Sequence, residues 1–332
     1  MITIEMSEEA DDSWNDRLLK SKTGTIYQTS AYGTYVQALL HAPPFYITFL
    51  NLEGKIIAQV LLHKSFRGKG KITSIFGRGK IYSIIAQSTL LPPYFYWNYG
   101  PIIFDSSYTE QIMEKFGEFL INQKCKFKGF PHPLDNNTIF PPEFNFKISK
   151  IGTFVIDLSQ ELNVILEKTD KRSVQKNIKR SKERGVEISE INTEKDLITY
   201  YEILHEFRKE NNLPTYTYDD VIEGFNYVKD YGQLGFLAWY NKKPSGGIFF
   251  SAFNGYINEW GIARTKIDQE KKLYSIDHLR WNIIEWGKAN NCRFYDLSGV
   301  VIQKRTEKDN RIFRNKSKWG GSLIEYPSFN NL

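Results

Sequence analysis

The segment Glu285-Trp-Gly-Lys-Ala-Asn-Asn-Cys-Arg-Phe294 has a counterpart 167 positions earlier, Glu118-Phe-Leu-Ile-Asn-Gln-Lys-Cys-Lys-Phe127. Both begin with an acidic and an aromatic residue and reach cysteine, a basic residue and phenylalanine after five further positions. Apolar residues three and four positions apart precede each segment and a short apolar run follows it, which predicts a helix and then a strand. Self-similarity at a fixed offset indicates a repeated structural unit. The sequence therefore predicts two copies of one α/β unit.

The elements predicted around this pair follow the same order in both halves. Each half contains helices, an antiparallel meander, a helix and a strand, and the Asn254-Gly255 pair predicts a tight hairpin in the second meander. This is the order of the GNAT acyltransferase unit. We therefore predict an α/β (α+β) protein with two GNAT-like units, at residues 1–150 and 151–332. Each unit should contain a mixed, mostly antiparallel sheet flanked by helices.

Composition excludes several classes of protein. The 332 residues are 41% hydrophobic and 25% charged, as in ordinary globular proteins. No apolar run reaches about 18 residues and the acidic N-terminus does not resemble a signal peptide, so we expect no membrane span and no secretion. Two cysteines are too few for a disulfide framework, and they start equivalent strands, so we expect reduced core residues in a cytoplasmic protein. The five histidines never occur at metal-ligand spacing, so we expect no metal site.

The net charge of +6 is unevenly distributed. Residues 64–80 carry +6, residues 168–184 carry +6 and residues 304–318 carry +5, so the rest of the chain carries −11. An acidic body with three basic segments is typical of proteins that bind a polyanion, such as nucleic acid, a nucleotide-linked substrate or anionic lipid. We expect the three segments to line a single cleft between the two units.

The loop that would hold a cofactor in a GNAT unit has an unusual composition here. In that unit a glycine-rich loop entering a helix presents backbone N–H groups to the diphosphate of acyl-CoA. The corresponding loop, residues 264–274, contains no glycine. Side chains there would obstruct the approach of a diphosphate to the backbone. The sequence therefore disfavours ordinary CoA binding at this place.

Several motifs resemble those of the Fem family, the peptidoglycan-bridge aminoacyltransferases or non-ribosomal peptidyltransferases. In chain order they are Thr25-Ile-Tyr-Gln-Thr-Ser30, Asp157-Leu-Ser159 with residues 171–187, Asp277-His-Leu-Arg280 and the residues up to 288, Cys292-Arg-Phe-Tyr-Asp-Leu-Ser-Gly299, and Ile312-Phe-Arg-Asn-Lys-Ser-Lys-Trp-Gly-Gly321. Their order and spacing cover nearly the whole chain. The fold of that family, two GNAT-like units, agrees with the repeat.

The resemblance implies a reaction and its partners. An amino acid would pass from aminoacyl-tRNA to an amine of a lipid- or nucleotide-linked cell-wall precursor, with no bound cofactor and no metal. It implies a cytoplasmic enzyme, with peripheral contact to an anionic membrane left open. An acyl-CoA N-acyltransferase of the same fold and a non-catalytic RNA- or envelope-binding protein remain alternatives.

Three residues are candidate catalytic groups. Lys316 matches the family's lysine, two residues after Arg314 and four before Gly320, and would act electrostatically on the reacting carbonyl or the tRNA terminus. The alternative is a solvated lysine in a basic tail. Asp296 follows a predicted strand, where it could serve as a base or hold the acceptor amine, or could simply cap a loop. Glu259 is a second acid, which could equally be an outward strand residue.

Further residues are candidate binding groups. For substrate we expect contacts from Arg314, Ser298, Trp260, Tyr27, Lys69 and Lys71. The helix predicted at 171–184 has a narrow apolar edge and one acid, Glu183, so its basic face should bind tRNA phosphates rather than be merely solvated. The expected tRNA contacts are Lys171, Arg172, Lys176, Lys179 and Arg180.

Overall fold

The computed structural model describes residues 2–40, 42–66, 93–135, 138–213 and 215–331. The chain divides into two compact units: residues up to Ile151 together with those from Glu325 onward, and Gly152–Ile324. The predicted units 1–150 and 151–332 differ from these at the C-terminus, because the last strand pairs with a strand of the first unit. Local sequence patterns carry no information on such a distant pairing partner.

The first unit contains one mixed sheet and three α-helices among its described residues. Its elements are β1 (Thr3–Ser7), α1 (Trp14–Lys20), α2 (Ser30–Leu40), β2 (Pro44–Leu50), β3 (Ile56–Phe66), β4 (Pro93–Asn98), β5 (Ile102–Ile103), α3 (Thr109–Asn122) and β6 (Lys126–Phe130). The strand order is β1-β2-β3-β4-β6, followed by the C-terminal strand, and β5 pairs with β3. Among the described pairs only β4 and β6 run parallel.

The second unit repeats this arrangement. Its elements are β7 (Lys147–Asp157), α4 (Leu162–Lys168), α5 (Lys176–Glu183), β8 (Glu187–Glu190), α6 (Glu194–Glu210), α7 (Tyr218–Val228), β9 (Gln233–Tyr240), β10 (Lys243–Phe253), β11 (Tyr256–Arg264), α8 (Lys266–Lys271), α9 (Ser275–Ala289), β12 (Phe294–Val300), α10 (Glu307–Ser317) and β13 (Ser322–Asn330), whose last residues belong to the first unit. The strand order is β7-β12-β11-β10-β9-β8, and among the described pairs of this unit β11–β12 is the parallel one.

The two units therefore share a pattern, in which one helix leads into the strand that makes the parallel pair. Helix α3 precedes β6 and helix α9 precedes β12, as the repeat predicts, so the α/β fold class is confirmed. Cys125 and Cys292 precede these strands and are both free thiols. Both pack against the cores, and burial raises the pKa of each thiol.

Each unit has its own apolar core, supplied in part by these two helices. Ile112 and Phe116 of α3 are fully buried in the first unit, and Leu279 and Ile283 of α9 are fully buried in the second. Burying one such side chain contributes roughly 1.5–3 kcal/mol. Within the described residues, no helix is long and apolar enough to cross a membrane.

Helix α10 forms where the sequence pattern indicates only a basic tail. The Thr306 hydroxyl accepts a hydrogen bond from the N–H of Asp309, whose carboxylate accepts one from the N–H of Thr306, at 3.2 and 3.0 Å. This reciprocal cap fixes the start of the helix. After α10 the chain turns at Gly320, where φ is +72°. A β-carbon there would lie 2.5 Å from the carbonyl oxygen of Lys168, so the turn requires glycine.

Candidate active site

The candidate active site lies in the second unit, where β11 and β12 separate. These parallel strands pair only at Tyr256–Asn258 against Phe294–Asp296. Beyond that point β11 carries a bulge against β10, with Trp260 as the extra residue, and β12 shifts register against β7 between Asp296 and Gly299. Bulges bend strands and re-aim side chains. Polar side chains of β11 and β12 therefore converge here.

An ion pair between β11 and α9 lies at the centre of this region. The Arg280 guanidinium donates to both carboxylate oxygens of Glu259, at 2.9 and 3.0 Å, and the Tyr295 hydroxyl donates to Oε2 at 2.8 Å. Burial alone would raise the pKa of Glu259, but the charge and hydrogen bonds of Arg280 hold it below its ordinary value. Glu259 is therefore a charged, fully engaged carboxylate and not an outward strand residue.

Asp296 is saturated with hydrogen-bond donors. Its carboxylate accepts from the Tyr256 hydroxyl at 2.7 Å, the Asn258 amide at 3.1 Å, the backbone N–H of Ser298 at 2.7 Å and the Thr153 hydroxyl. The residue has an exposure of 0%. Four donors satisfy a carboxylate completely. This geometry favours the loop-capping alternative for Asp296, in which the side chain fixes the irregular end of β12.

Lys316 of α10 closes the same irregular end of β12. Its Nζ donates to the carbonyl oxygens of Ser298 at 3.1 Å and Gly299 at 3.2 Å. Ser298 has a φ of +66° and its hydroxyl donates to the carbonyl of Glu259. Burial lowers the pKa of Lys316, with the charge of Glu259 acting in the opposite direction. Lys316 is thus a half-buried, oriented amine, unlike the solvated lysine of the alternative interpretation.

A cavity of about 360 Å³ lies beside this cluster, between the two basic segments of the second unit. Its lining residues are Ser173, Val174, Asn177, Asp277, Arg311, Arg314, Asn315 and Lys318. Residues from 168–184 and from 304–318 thus border the same space, as expected of the basic segments. The third segment, with Lys69 and Lys71, falls outside the described residues after Phe66.

A second cavity of about 340 Å³ shares two lining residues, Asp277 and Asn315, with the first. Phe207, Asn211, Ile262, Arg264, Asp268, Tyr274, Ile276 and Arg280 complete its lining. The Asp277 carboxylate accepts a hydrogen bond from the Asn177 amide at 2.7 Å. Burial raises the pKa of Asp277, although this hydrogen bond opposes the shift. Asp277 and Asn315 thus mark where the two cavities adjoin.

The start of α9, which would face a cofactor diphosphate in a GNAT unit, is already occupied by a carboxylate. Asp268 of α8 is buried, and its Oδ1 accepts the N–H of Ser275 at 2.8 Å. The loop places Lys272 and Tyr274 at positive φ in the absence of glycine. A diphosphate would meet the Asp268 carboxylate in place of a free N–H at Ser275.

The predicted tRNA-binding residues lie on one π-helical turn, Lys171–Gln175, and on α5. Lys171, Arg172, Lys176 and Lys179 are exposed, and Arg180 is half-buried. Lys179 forms an ion pair with Glu183 at 3.7 Å, while the Arg180 guanidinium lies 5.9 Å from the centre of the Tyr274 ring. Val174 and Ile178 are the buried apolar residues of this stretch, as the narrow apolar edge predicts, and Ser181 is buried with them.

Two predicted substrate-binding aromatics lie outside this cluster. Trp260 is half-buried and packs against the small core beneath α6 and α7. Tyr27 belongs to the first unit, where its ring makes edge contacts with Tyr32 at 5.1 Å and Tyr99 at 5.2 Å. The half-buried Tyr27 ring could stack on a sugar or base.

The sequence patterns do not identify Arg280, Tyr295 or Asn315 as site residues, and they do not show that Asp277 lines both cavities. Asp277 and Arg280 stand on the apolar side of α9, among Ile276, Leu279 and Ile283. Charged residues on the core side of an amphipathic helix are usually paired or functional. That signal is present in the sequence, but it does not identify the partner.

No family model and no characterised protein matches this chain in sequence, whereas several solved structures match it in fold. FemX aligns over 99% of this chain and 97% of its own, with a TM-score of 0.73 and 11% identity. L-PGS from Bacillus licheniformis aligns over 98% and 93%, with a TM-score of 0.57 and 12% identity. A tandem GNAT protein from the clavulanic acid biosynthesis pathway aligns over 99% and 98%, with a TM-score of 0.53 and 8% identity. The predicted fold is therefore confirmed: this chain has the two-unit GNAT-like fold of FemX.

Proposed function

We propose that the protein is an aminoacyltransferase that moves an amino acid from aminoacyl-tRNA to an amine of a cell-wall or envelope precursor. The observation that carries this proposal is the cavity between α5 and α10. Arg311, Arg314 and Lys318 line it, and none of them forms an ion pair with a described carboxylate. Cations that form no ion pair with a described carboxylate, placed around a concave site, suit an anionic ligand such as a nucleic-acid end.

Two similar folds support the same class of reaction. FemX, L-PGS and the C-terminal domain of a putative lysylphosphatidylglycerol synthetase from Agrobacterium fabrum share this fold over most of their length. Their names connect the fold with aminoacyl transfer to cell-envelope components. We propose that the reaction takes place in the cytoplasm, and at the inner face of the membrane when the acceptor is lipid-linked.

The transfer is an aminolysis of an ester. The acceptor nitrogen attacks the ester carbonyl carbon, a C–N bond forms, the bond from that carbon to the ribose oxygen breaks, and the proton lost by nitrogen ends on that oxygen. The tetrahedral intermediate carries negative charge on the former carbonyl oxygen. A protonated Lys316 has three hydrogens, of which two are directed at backbone carbonyls. In our proposal the third stabilises this oxyanion.

The remaining candidates have supporting roles in this proposal. Glu259, Asp296 and Ser298 position the end of β12 and through it Lys316. Arg314 and the basic face of α5 hold the tRNA. Tyr27, Lys69 and Lys71 are proposed for the acceptor. The Asp268 carboxylate at the start of α9 disfavours acyl-CoA as the donor.

A transfer assay tests the function. The purified protein is incubated with tRNA charged with labelled amino acids and with nucleotide-linked and lipid-linked amine acceptors, and the new amide is detected by mass spectrometry. We expect product that disappears after ribonuclease treatment. Acyl transfer from acetyl-CoA that is insensitive to ribonuclease would instead identify an N-acyltransferase and overturn the proposal.

A further inference from the structure

Asp277 is the one carboxylate that lines both cavities. It accepts the Asn177 amide through Oδ2, and no described cation forms an ion pair with it. The neighbouring Arg280 is committed to Glu259 through two hydrogen bonds. Arg280 and Lys318 act electrostatically on Asp277 from beyond ion-pair distance, so this half-buried carboxylate has room for a cation in direct contact.

The surroundings of Asp277 restrict the chemistry of a ligand that could supply that charge. On one side the first cavity presents Arg311, Arg314 and Lys318, which favour an anionic group. On the other side the second cavity presents apolar surface from Phe207, Ile262 and Ile276, beside the charged side chains of Arg264 and Asp268. Both volumes, about 340 and 360 Å³, are in the range of small-molecule sites. A matching ligand combines an anion, a compact cation and a small apolar part.

The 3′ end of an aminoacyl-tRNA has this combination, because the ribose joins a phosphate to an amino acid with a free α-ammonium group. We propose that Asp277 binds the α-ammonium group of the donor amino acid, with the terminal phosphate on Arg311, Arg314 and Lys318. The amino acid side chain then faces the apolar wall of the second cavity. An acyl group without an amine leaves Asp277 unpaired, so the site selects aminoacyl over simple acyl donors.

This inference deepens the proposed function and rests on it. The competing interpretation is that Asp277, in the first turn of α9, only complements the helix dipole. In that case removing the Asp277 carboxylate lowers the stability of the protein and does not change its preference between aminoacyl and simple acyl ligands. The two interpretations therefore differ in ligand discrimination, which can be measured without turnover.

The test uses two stable donor analogues: 5′-phospho-3′-deoxy-3′-(alanylamino)adenosine, and its propionylamino counterpart, which lacks only the ammonium group. Calorimetric titration of the wild-type protein should show at least about tenfold tighter binding of the alanyl analogue, as expected for a close charge pair. The Asp277→Asn variant should lose this preference and keep the affinity for the propionyl analogue. The matched control Glu270→Gln, at an exposed carboxylate of α8, should keep the preference.

A third analogue, alanyl without the 5′-phosphate, tests the anion side of the site. Wild type should bind it several-fold more weakly than the phosphorylated compound, and Arg311→Ala should reduce this difference, because only Arg314 and Lys318 then remain for the phosphate. Lys308→Ala, at an exposed position of the same helix, is the control.

Several results would overturn the inference. They are equal binding of the alanyl and propionyl analogues by wild type, binding of neither at millimolar concentration, or a preference that survives in Asp277→Asn. The first two need no variant, so a folding defect cannot obscure them. If the alanyl analogue binds selectively while no acceptor yields an amide from aminoacyl-tRNA, the proposed transferase activity fails and the site assignment stands. If amide forms equally from alanyl-tRNA and its deaminated form, the site assignment fails and the activity stands.

Discussion

Arg280 and Glu259 form a bidentate ion pair, at 2.9 and 3.0 Å, whose two side chains are each 4% exposed. Removing one partner of such a pair leaves a buried, uncompensated charge, which costs about 3–5 kcal/mol. We expect Glu259→Ala to lower the free energy of unfolding by that amount, measured by guanidinium denaturation.

The paired replacement Glu259→Leu with Arg280→Met should recover most of this loss, because it removes both charges together. Glu270→Ala, at an exposed carboxylate, is the control and should change little. A Glu259→Ala protein as stable as wild type would contradict the interpretation of Glu259 as a buried structural anion.

Lys316 is expected to act on the reaction more than on the fold. Its amine is held by two backbone carbonyls, and loss of an oxyanion donor typically lowers kcat by about 10²–10³-fold. Lys316→Met should therefore lower the rate of amide formation by about that factor. Lys308→Met, at an exposed position of α10, should leave the rate within about twofold. Full activity in Lys316→Met would remove this residue from the mechanism.

The basic face formed by the π-helical turn Lys171–Gln175 and α5 should account for much of the salt dependence of tRNA binding. Each phosphate contact contributes about 0.9 to the slope of log K against log salt. Replacing Lys171, Lys176 and Lys179 by glutamine should reduce that slope by about 2–3, as measured by filter binding at several salt concentrations. The exposed lysines Lys229, Lys242 and Lys243 provide a control triple replacement with the same change in charge. An unchanged slope in the α5 variant would place the tRNA elsewhere.

Acid should destabilise the protein through His278. Burial, with a contribution from Lys182, lowers the pKa of His278 to about 4, whereas the unfolded chain titrates at its ordinary value of 6.5. The unfolded state therefore binds more protons between these values, and the free energy of unfolding falls as the pH drops from 6.5 toward 4. The loss amounts to about 3 kcal/mol, at about 1.4 kcal/mol per pH unit.

Guanidinium denaturation between pH 4.5 and 7.5 measures this effect. His278→Gln should flatten the pH dependence by about one proton. Asn122→Gln, a replacement without a titratable group at an exposed position of α3, should leave it unchanged. The buried His132 of the first unit has its pKa lowered by burial to about 3, so it supplies a residual slope of the same sign in the variant.

Adding a β-carbon at positive φ causes backbone strain and can also cause a steric clash. Gly320 and Gly185 allow these two effects to be measured apart. Their φ values are +72° and +75°, but only at Gly320 would the β-carbon clash, 2.5 Å from the Lys168 carbonyl oxygen. Gly185→Ala should cost about 1 kcal/mol from backbone strain alone. Gly320→Ala should cost at least about 2 kcal/mol more and displace the loop after α10. Equal thermal shifts in the two variants would show that this turn is not tightly packed.

The local patterns predict those parts of the fold that depend on neighbouring residues. The spacing of apolar residues predicts α3 and α9. The fixed offset between the two similar segments at the ends of these helices predicts the repeat. Helix α10 escapes prediction because Ile312 and Phe313 are its only large apolar residues, although the Thr306–Asp309 cap is a usable signal. The pairing of β13 with β6 depends on residues about 200 positions apart, which no window of sequence reports.

The same limit applies to the candidate site. Lys316, Asp296 and Glu259 can be selected by residue type and motif, but their states depend on partners. Glu259 is engaged by Arg280, 21 positions later, and Asp296 by Thr153, 143 positions earlier. These contacts follow from strand register and from the bulges beside Trp260 and Ser298, and register is a property of the assembled sheet.

The Asp268 carboxylate at the first N–H of α9 has a consequence for the choice of substrate in a living cell. Nucleotides and CoA esters are abundant free anions, and a helix start that offers open amides would be exposed to all of them. By filling that position with its own side chain, the protein presents a carboxylate to such anions in place of an open amide, and it keeps the fold. On this fold, a single acidic side chain at the start of one helix would then be enough to favour aminoacyl-tRNA over acyl-CoA as the donor.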